Sequence, residues 1–322
     1  MVAAAPGGCG KLAAQDRTVH QATMSATSAM LLLVVAMCFT GSNVPLGKAV
    51  VEVIPVWPLM LIRFGIATAV LALLARGEPG PRLGAMRGGQ IVDVLLLSLL
   101  GSVGYMALSL EGVKRTSGMD AGIILATLPA VAAMVGVAMR RQRPGSAQAL
   151  AIALAVGGLV VVNTAAASGG APSAIGNLLV GAAVLCEATF VLVSARISAV
   201  YGPIRLSLAV SAASLVLVLP LGLQGLVALP FASITPAIWI GAIWYGLSAS
   251  VICTILWYRG APYVETWRAG LATAALPVSA LAASALLLGE RIDTARLAGA
   301  ALVIAAIILG ALAPARGPGV QR

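Results

Sequence analysis

Residues 269–291 read AGLATAALPVSALAASALLLGER, and residues 121–143 read AGIILATLPAVAAMVGVAMRRQR. Both open on Ala-Gly, carry Leu-Pro seven and eight residues in, and close on Arg. The offset between them is 148 residues, and the same offset pairs Pro55 with Pro203, Ser102 with Ser250 and Gly112 with Gly260 without a gap. Self-similarity at a fixed period is the signature of a repeated structural unit. An Ala- and Leu-rich composition produces accidental matches, but it does not place two pairs of prolines at one offset. The chain is read as one unit written twice.

Composition says where that unit lives. Of 322 residues, 60% are hydrophobic and only 9% charged, with a mean hydropathy of +1.03. Soluble domains carry about 25% charge, so a polytopic membrane protein is expected. A bilayer core needs about 20 apolar residues per helix. Ten such runs are predicted, at 27–50, 55–75, 91–110, 118–139, 147–166, 175–196, 203–224, 236–258, 268–289 and 294–313. The first is too long for the apolar core of a cleaved signal and is expected to stay as a helix. The organisation is then a disordered cytoplasmic tail over 1–26, a five-helix repeat over 27–166, a second over 175–313 and a cytoplasmic tail over 314–322. The fold class is all-α, with ten transmembrane helices in two repeats. Linkers are short, and no soluble domain for ATP or nucleic acid is expected.

Charge orients the ten runs. With the N-terminus inside, fourteen of the 20 Lys and Arg fall on the inner side. Five (Lys48, Lys114, Arg115, Arg291 and Arg296) fall outside, and Arg63 lies within a helix. Lys and Arg favour cytoplasmic loops, so both termini are expected inside. This bias, rather than a nucleic-acid partner, accounts for the net charge of +10. Five helices per unit is an odd number, so the second copy enters the membrane upside down. Inverted repeats are the architecture of many secondary transporters, with the substrate site near the midplane between the halves.

Six residues are candidates for that site. Glu187 sits near the middle of the sixth run, where a carboxylate is costly and normally faces an internal cavity. It is read as a substrate or proton site, or else as an interhelical hydrogen bond. Arg63, central in the second run, keeps its charge and must find carboxylate or carbonyl partners. A substrate contact and a structural clamp are both open for it. Asn43 belongs to Gly41-Ser42-Asn43 with Pro45, which interrupts the first run; interrupted segments point to binding sites in transporters, and a frayed helix end is the alternative. Tyr105 offers a ring and a hydroxyl, or simply packs. Pro129 and Pro277 remove a backbone donor in the fourth and ninth runs and disturb the carbonyls of Leu125 and Thr273. These are read as symmetry-related kinks lining a pathway, or as packing kinks. Trp57, Trp239, Trp244, Trp257 and Tyr258 lie towards helix ends and read as interface anchors.

Other chemistries find no support. Residues 41–49, GSNVPLGKA, are one residue too long for a phosphate loop and place Ala49 where a magnesium-binding hydroxyl belongs. No GxSxG occurs and the single histidine, His20, is in the tail. The four cysteines are scattered, three of them in apolar runs, so neither metal nor cofactor is expected.

The residues also resemble a known family, the drug/metabolite transporter superfamily in its ten-helix EamA-type branch. The likeness is carried by Gly41-Ser42-Asn43 with Lys48, by Pro55 with Arg63-Phe64, by the Pro129 stretch, by Leu276-Pro277-Val278, and above all by Leu288-Gly289-Glu290-Arg291 followed by Gly299. Phe39-Thr40 departs from the family's Trp before Gly, and Gln142 stands where an acidic residue usually ends the fourth helix. Its repeat partner Glu290 is therefore expected to be a helix-end cap or an interfacial structural residue. Glu187 stands near a site that is usually aromatic in the family. The resemblance implies an inner-membrane permease, often an exporter of amino acids or related small metabolites. The expectation is a monomeric secondary transporter in the lipid bilayer that moves a small-molecule substrate outward by alternating access. A channel or a non-transporting membrane protein is the alternative, and an embedded enzyme is the least supported.

Overall fold

The protein is described by a computed structural model covering residues 24–78, 81–140, 145–168, 174–264, 269 and 271–312. The expected tails, 1–26 and 314–322, lie almost wholly outside the described residues, as does Gln142. The described residues are helical with no strand. Inside a bilayer each backbone N–H and C=O must be satisfied within its own segment, and the helix does this.

The helices are α1 (Ala26–Val51), α2 (Val56–Leu74), α3 (Gly88–Arg115), α4 (Gly118–Leu125), α5 (Leu128–Arg140) and α6 (Ser146–Ser168) in the first repeat. The second repeat holds α7 (Ala174–Tyr201), α8 (Pro203–Val227), α9 (Pro236–Gly260), α10 (Ala275–Leu288) and α11 (Thr294–Leu312). Helices α1, α2, α3, α8 and α9 are each long and apolar enough to cross a membrane. The fourth crossing is broken into α4 and α5 at Ala126–Thr127, just before Leu128-Pro129, and α10 is preceded by a matching turn at Thr273–Ala274, just before Leu276-Pro277. Each proline's missing N–H is the reason the crossing breaks one turn earlier. The Thr273 carbonyl accepts the Leu276 N–H at 3.1 Å, and the Thr127 hydroxyl donates to the Ile124 carbonyl at 2.7 Å.

Packing follows a two-fold relation between the repeats. Helix α2 packs on its counterpart α8, and α6 on its counterpart α11. Helix α1 packs on α10 and α9; correspondingly, α7 packs on α4, α5 and α3. The closest approaches repeat as well. A Cβ on Gly112 of α3 would stand 2.9 Å from the Gly176 carbonyl of α7, and one on Gly260 of α9 would stand 2.8 Å from the Ala29 carbonyl of α1. These glycines, 148 residues apart, let the paired backbones touch, as small residues do in membranes. Large apolar side chains such as Leu286, Leu178 and Val216 stay exposed, on surfaces that the bilayer covers.

The ends of the bundle differ. The near end is the one where α1 begins and α11 finishes. There the Glu78 carboxylate accepts from Ile204 N at 3.0 Å and Arg205 N at 2.7 Å, capping α8. At the far end Glu290, just past α10, caps α4 by accepting from Gly118 N at 2.7 Å and Met119 N at 3.0 Å. Gly289 allows this turn, because it closes α10 at φ 64°, a left-handed conformation that suits glycine.

Candidate functional site

Helices α3 and α9 each pass through a π-helical segment, Leu97–Gly104 and Ser248–Ile252. The repeat offset maps the second onto residues 100–104 of the first. Such segments re-aim side chains and recur at functional sites. The segment in α9 presents Ser248 and Ser250 inward, towards α1 and α2. Arg63 of α2 donates from Nε to Ser250 Oγ at 2.9 Å and from Nη1 to Tyr245 Oη at 3.2 Å. Its guanidinium carbon also lies 5.2 Å from the centre of the Tyr245 ring. The Ser248 hydroxyl reaches Asn43 Oδ1 at 2.8 Å and the Trp244 carbonyl at 2.7 Å. Asn43 Nδ2 is buried without a hydrogen-bond partner among the described residues.

Two chambers meet at this level. The one towards the far end has about 290 Å³; Val44, Leu110, Val113, Leu125 and Leu276 make its walls, and Asn43, Thr40 and Ser109 are among its polar groups. The other has about 710 Å³ and runs towards the near end, reaching Leu206 in the first turn of α8 and Trp257 and Tyr258 near the end of α9. Met37, Arg63, Tyr105, Glu187 and Ala249 line both, so these five form the waist. Glu187 makes no hydrogen bond or ion pair with any described residue. It does lie in the electrostatic field of Arg63.

Beyond the smaller chamber the far end is bridged by charge. Lys48 of α1 donates to the Thr116 carbonyl and stands 3.7 Å from Glu290. Arg296 of α11 pairs with Asp120 of α4 at 2.9 Å and with Asp293 at 3.0 Å. Thr116 also hydrogen-bonds Asn177 of α7. These contacts tie both repeats together one turn beyond Gly47 and Val113.

Four of the six expected site residues, Glu187, Arg63, Asn43 and Tyr105, share this cavity. Pro129 and Pro277 do not line it; Leu128 and Leu276, immediately before them, do. Several expectations need correction. The run Gly41-Ser42-Asn43 with Pro45 does not interrupt the first helix, because α1 is continuous from Ala26 to Val51. Gly41 instead serves close packing: a Cβ there would lie 2.1 Å from Ser279 Oγ and 2.4 Å from the Leu276 carbonyl of α10. Among the described residues Arg63 finds hydroxyls and an aromatic face, not a carboxylate or carbonyl, and it does not form an ion pair with Glu187. Trp257 and Tyr258 line the larger chamber rather than acting only as interface anchors.

Tyr245, Ser250, Ser109 and Phe190 were not singled out as site residues in the sequence. One signal was available for α9: Tyr245, Ala249, Cys253 and Trp257 recur every fourth residue, and all but Tyr245 line the larger chamber. Among the described residues no group of three His, Cys, Asp or Glu is placed to hold a metal.

Comparison with known proteins agrees with this architecture. The model of the EamA-like transporter family matches residues 27–164 and again residues 174–311. The uncharacterized transporter YetK of Bacillus subtilis (strain 168) is 31% identical over 258 residues, covering 78% of this chain and 77% of that protein. A solved crystal structure with 19% sequence identity superposes with a TM-score of 0.59, covering 88% of this chain and 96% of that one. At that identity it speaks for the fold alone.

Proposed function

Because the chain belongs to the EamA-like transporter family, we propose that it is a monomeric secondary carrier exporting a small metabolite, an amino acid or a related compound. The substrate crosses the cytoplasmic membrane by alternating access, with both termini in the cytoplasm. Glu187, Arg63, Asn43 and Tyr105 form the binding site at the waist, and Pro129 and Pro277 act as the flexing points beside it.

One observation carries this reading. Two chambers share charged lining residues in mid-bundle, with the large chamber reaching towards the near end while ion pairs join the repeats across the far end. A site with one side blocked and the other approachable is what alternating access requires. The inverted repeat supplies the second state, since exchanging the conformations of the two halves moves the blocked side.

The test is counterflow in proteoliposomes with radiolabelled amino acids. A carrier gives saturable uptake that unlabelled internal amino acid accelerates. Flux that rises linearly with concentration and ignores the opposite side means a channel. Orientation is checked with protease-cleavable tags on both termini. Cleavage of both only from the cytoplasmic side agrees with the proposal, and cleavage of one from outside removes the five-by-five topology.

A further inference from the structure

The two charges at the waist are employed differently, and that difference points to a substrate class. Arg63 is already engaged. Two of its five N–H donors go to Ser250 and Tyr245, and one face is covered by the Tyr245 ring. All three contacts are to α9, one of them to the π-helical segment, so the guanidinium joins α2 to α9. Glu187 has no hydrogen bond or ion pair among the described residues. Among the described residues lining the two chambers it is the one anion, and Arg63 the one cation.

An ionised carboxylate at mid-membrane is costly until a cation or a proton meets it. The walls around Glu187 favour an organic cation. Tyr105, Phe190 and Tyr258 line the same chamber, and the faces of aromatic rings attract ammonium groups. A substrate carboxylate, by contrast, would meet a guanidinium whose Nε and one Nη1 donor are already bonded and one face of which is already covered by the Tyr245 ring. The smaller chamber next to the waist is walled by Val44, Leu110, Val113, Leu125 and Leu276 and suits an apolar body.

Resting on the carrier reading above, we propose that this site recognises a protonated amine carried on an apolar body. Glu187 is the specificity-determining residue. A carboxylate on the substrate is dispensable, and Arg63, although it lines the site, acts there by positioning α9.

Three probes with one tail test this in proteoliposomes: 2-phenylethylamine, phenylalanine and 3-phenylpropionate. The expected result is saturable exchange of the amine and none of 3-phenylpropionate. A charge-assisted hydrogen bond sets the size of the Glu187 effect, so Glu187→Gln is expected to weaken amine exchange by about 10- to 100-fold, with partial recovery in Glu187→Asp. If Arg63 only positions α9, Arg63→Lys lowers the maximal rate while the amine KM changes by less than about threefold. The proposal is overturned if 3-phenylpropionate exchanges and the amine does not. It is equally overturned if only phenylalanine exchanges and Arg63→Lys raises its KM. Thermal unfolding of the detergent-solubilised full chain separates the two readings. Stabilisation by 2-phenylethylamine that is lost in Glu187→Gln, with no probe exchanged, keeps the amine site and sinks the carrier. No stabilisation and no exchange sinks the amine site.

Discussion

Asp120 of α4 and Arg296 of α11 meet at 2.9 Å, with the Asp120 side chain only 3% exposed. One belongs to each repeat, so the pair staples the halves together at the far end. The two partners are not equally replaceable. Arg296 keeps Asp293 as a second carboxylate at 3.0 Å. Asp120 has no other cation among the described residues, although the Ser117 hydroxyl accepts its backbone N–H. Arg296→Leu therefore leaves a buried anion unpaired, which costs about 3 kcal/mol. Asp120→Asn leaves only an amide facing a still-paired arginine. The larger fall in unfolding temperature in a fixed detergent is expected for Arg296→Leu. A charge-swapped Asp120→Arg, Arg296→Asp protein should regain part of the loss, and equal falls for the two single variants would contradict the geometry.

The far-end staple has no acidic equivalent in the other half of the sequence. The positions 148 residues from Lys48, Glu290, Asp120 and Arg296 are Arg196, Gln142, Arg268 and Gln148. None can supply an anion, so on the alternating-access proposal these four residues favour the state closed at the far end. Glu290→Gln removes both the Lys48 partner and the charge that caps Gly118 and Met119. It is expected to raise labelling of a Val113→Cys probe by an impermeant thiol reagent from the far side and to lower labelling of Ser207→Cys from the near side. Unchanged labelling at both sites would show that Glu290 does not bias the two states.

Gly41 of α1 packs directly against α10. The Cβ of Gly41→Ala would sit 2.1 Å from Ser279 Oγ and 2.4 Å from the Leu276 carbonyl, whereas Gly65→Ala meets nothing within 4 Å. Overpacking of this kind costs about 1–3 kcal/mol. The serine can rotate away but the carbonyl cannot. Gly41→Ala should lower thermal stability and transport while Gly65→Ala behaves like the parent, and equal stability would mean that α1 and α10 can separate freely.

Tyr245 contacts Arg63 in two ways, through its hydroxyl at 3.2 Å and its ring at 5.2 Å. Tyr245→Phe removes only the acceptor, worth about 1 kcal/mol. Tyr245→Ala removes the ring as well and opens the waist. The maximal exchange rate should fall modestly in the first and severely in the second. An equal loss in both would assign the whole role to the hydroxyl.

Much of this architecture was legible in the chain. Apolar run length, the odd number of crossings and the 148-residue offset lead to two five-helix units, because a bilayer permits few solutions for an apolar backbone. Leu276-Pro277 and Leu128-Pro129 marked the turns before α10 and between α4 and α5. Glu290 was expected to cap or brace a helix end, and the helix it caps is α4, a partner that only the fold could reveal. The site was partly legible, since Glu187, Arg63 and Tyr105 stand out as polar groups at helix centres. The employment of Arg63 was not, because Tyr245 and Ser250 lie more than 180 residues away along the chain and become neighbours through α2–α9 packing.

The sequence alone therefore determined the helical membrane class and the two-repeat organisation, since hydropathy and periodicity are local properties of the chain. The tertiary structure decided three things. Gly41-Ser42-Asn43 is unbroken helix, with Gly41 packed on α10 and Asn43 bonded to α9, and not an interruption. Arg63 binds α9 and not Glu187. The fourth helix carries its cap on residue 290. Each depends on which helix faces which across the bundle, and such pairing arises from close packing between segments far apart in sequence, which no local pattern encodes.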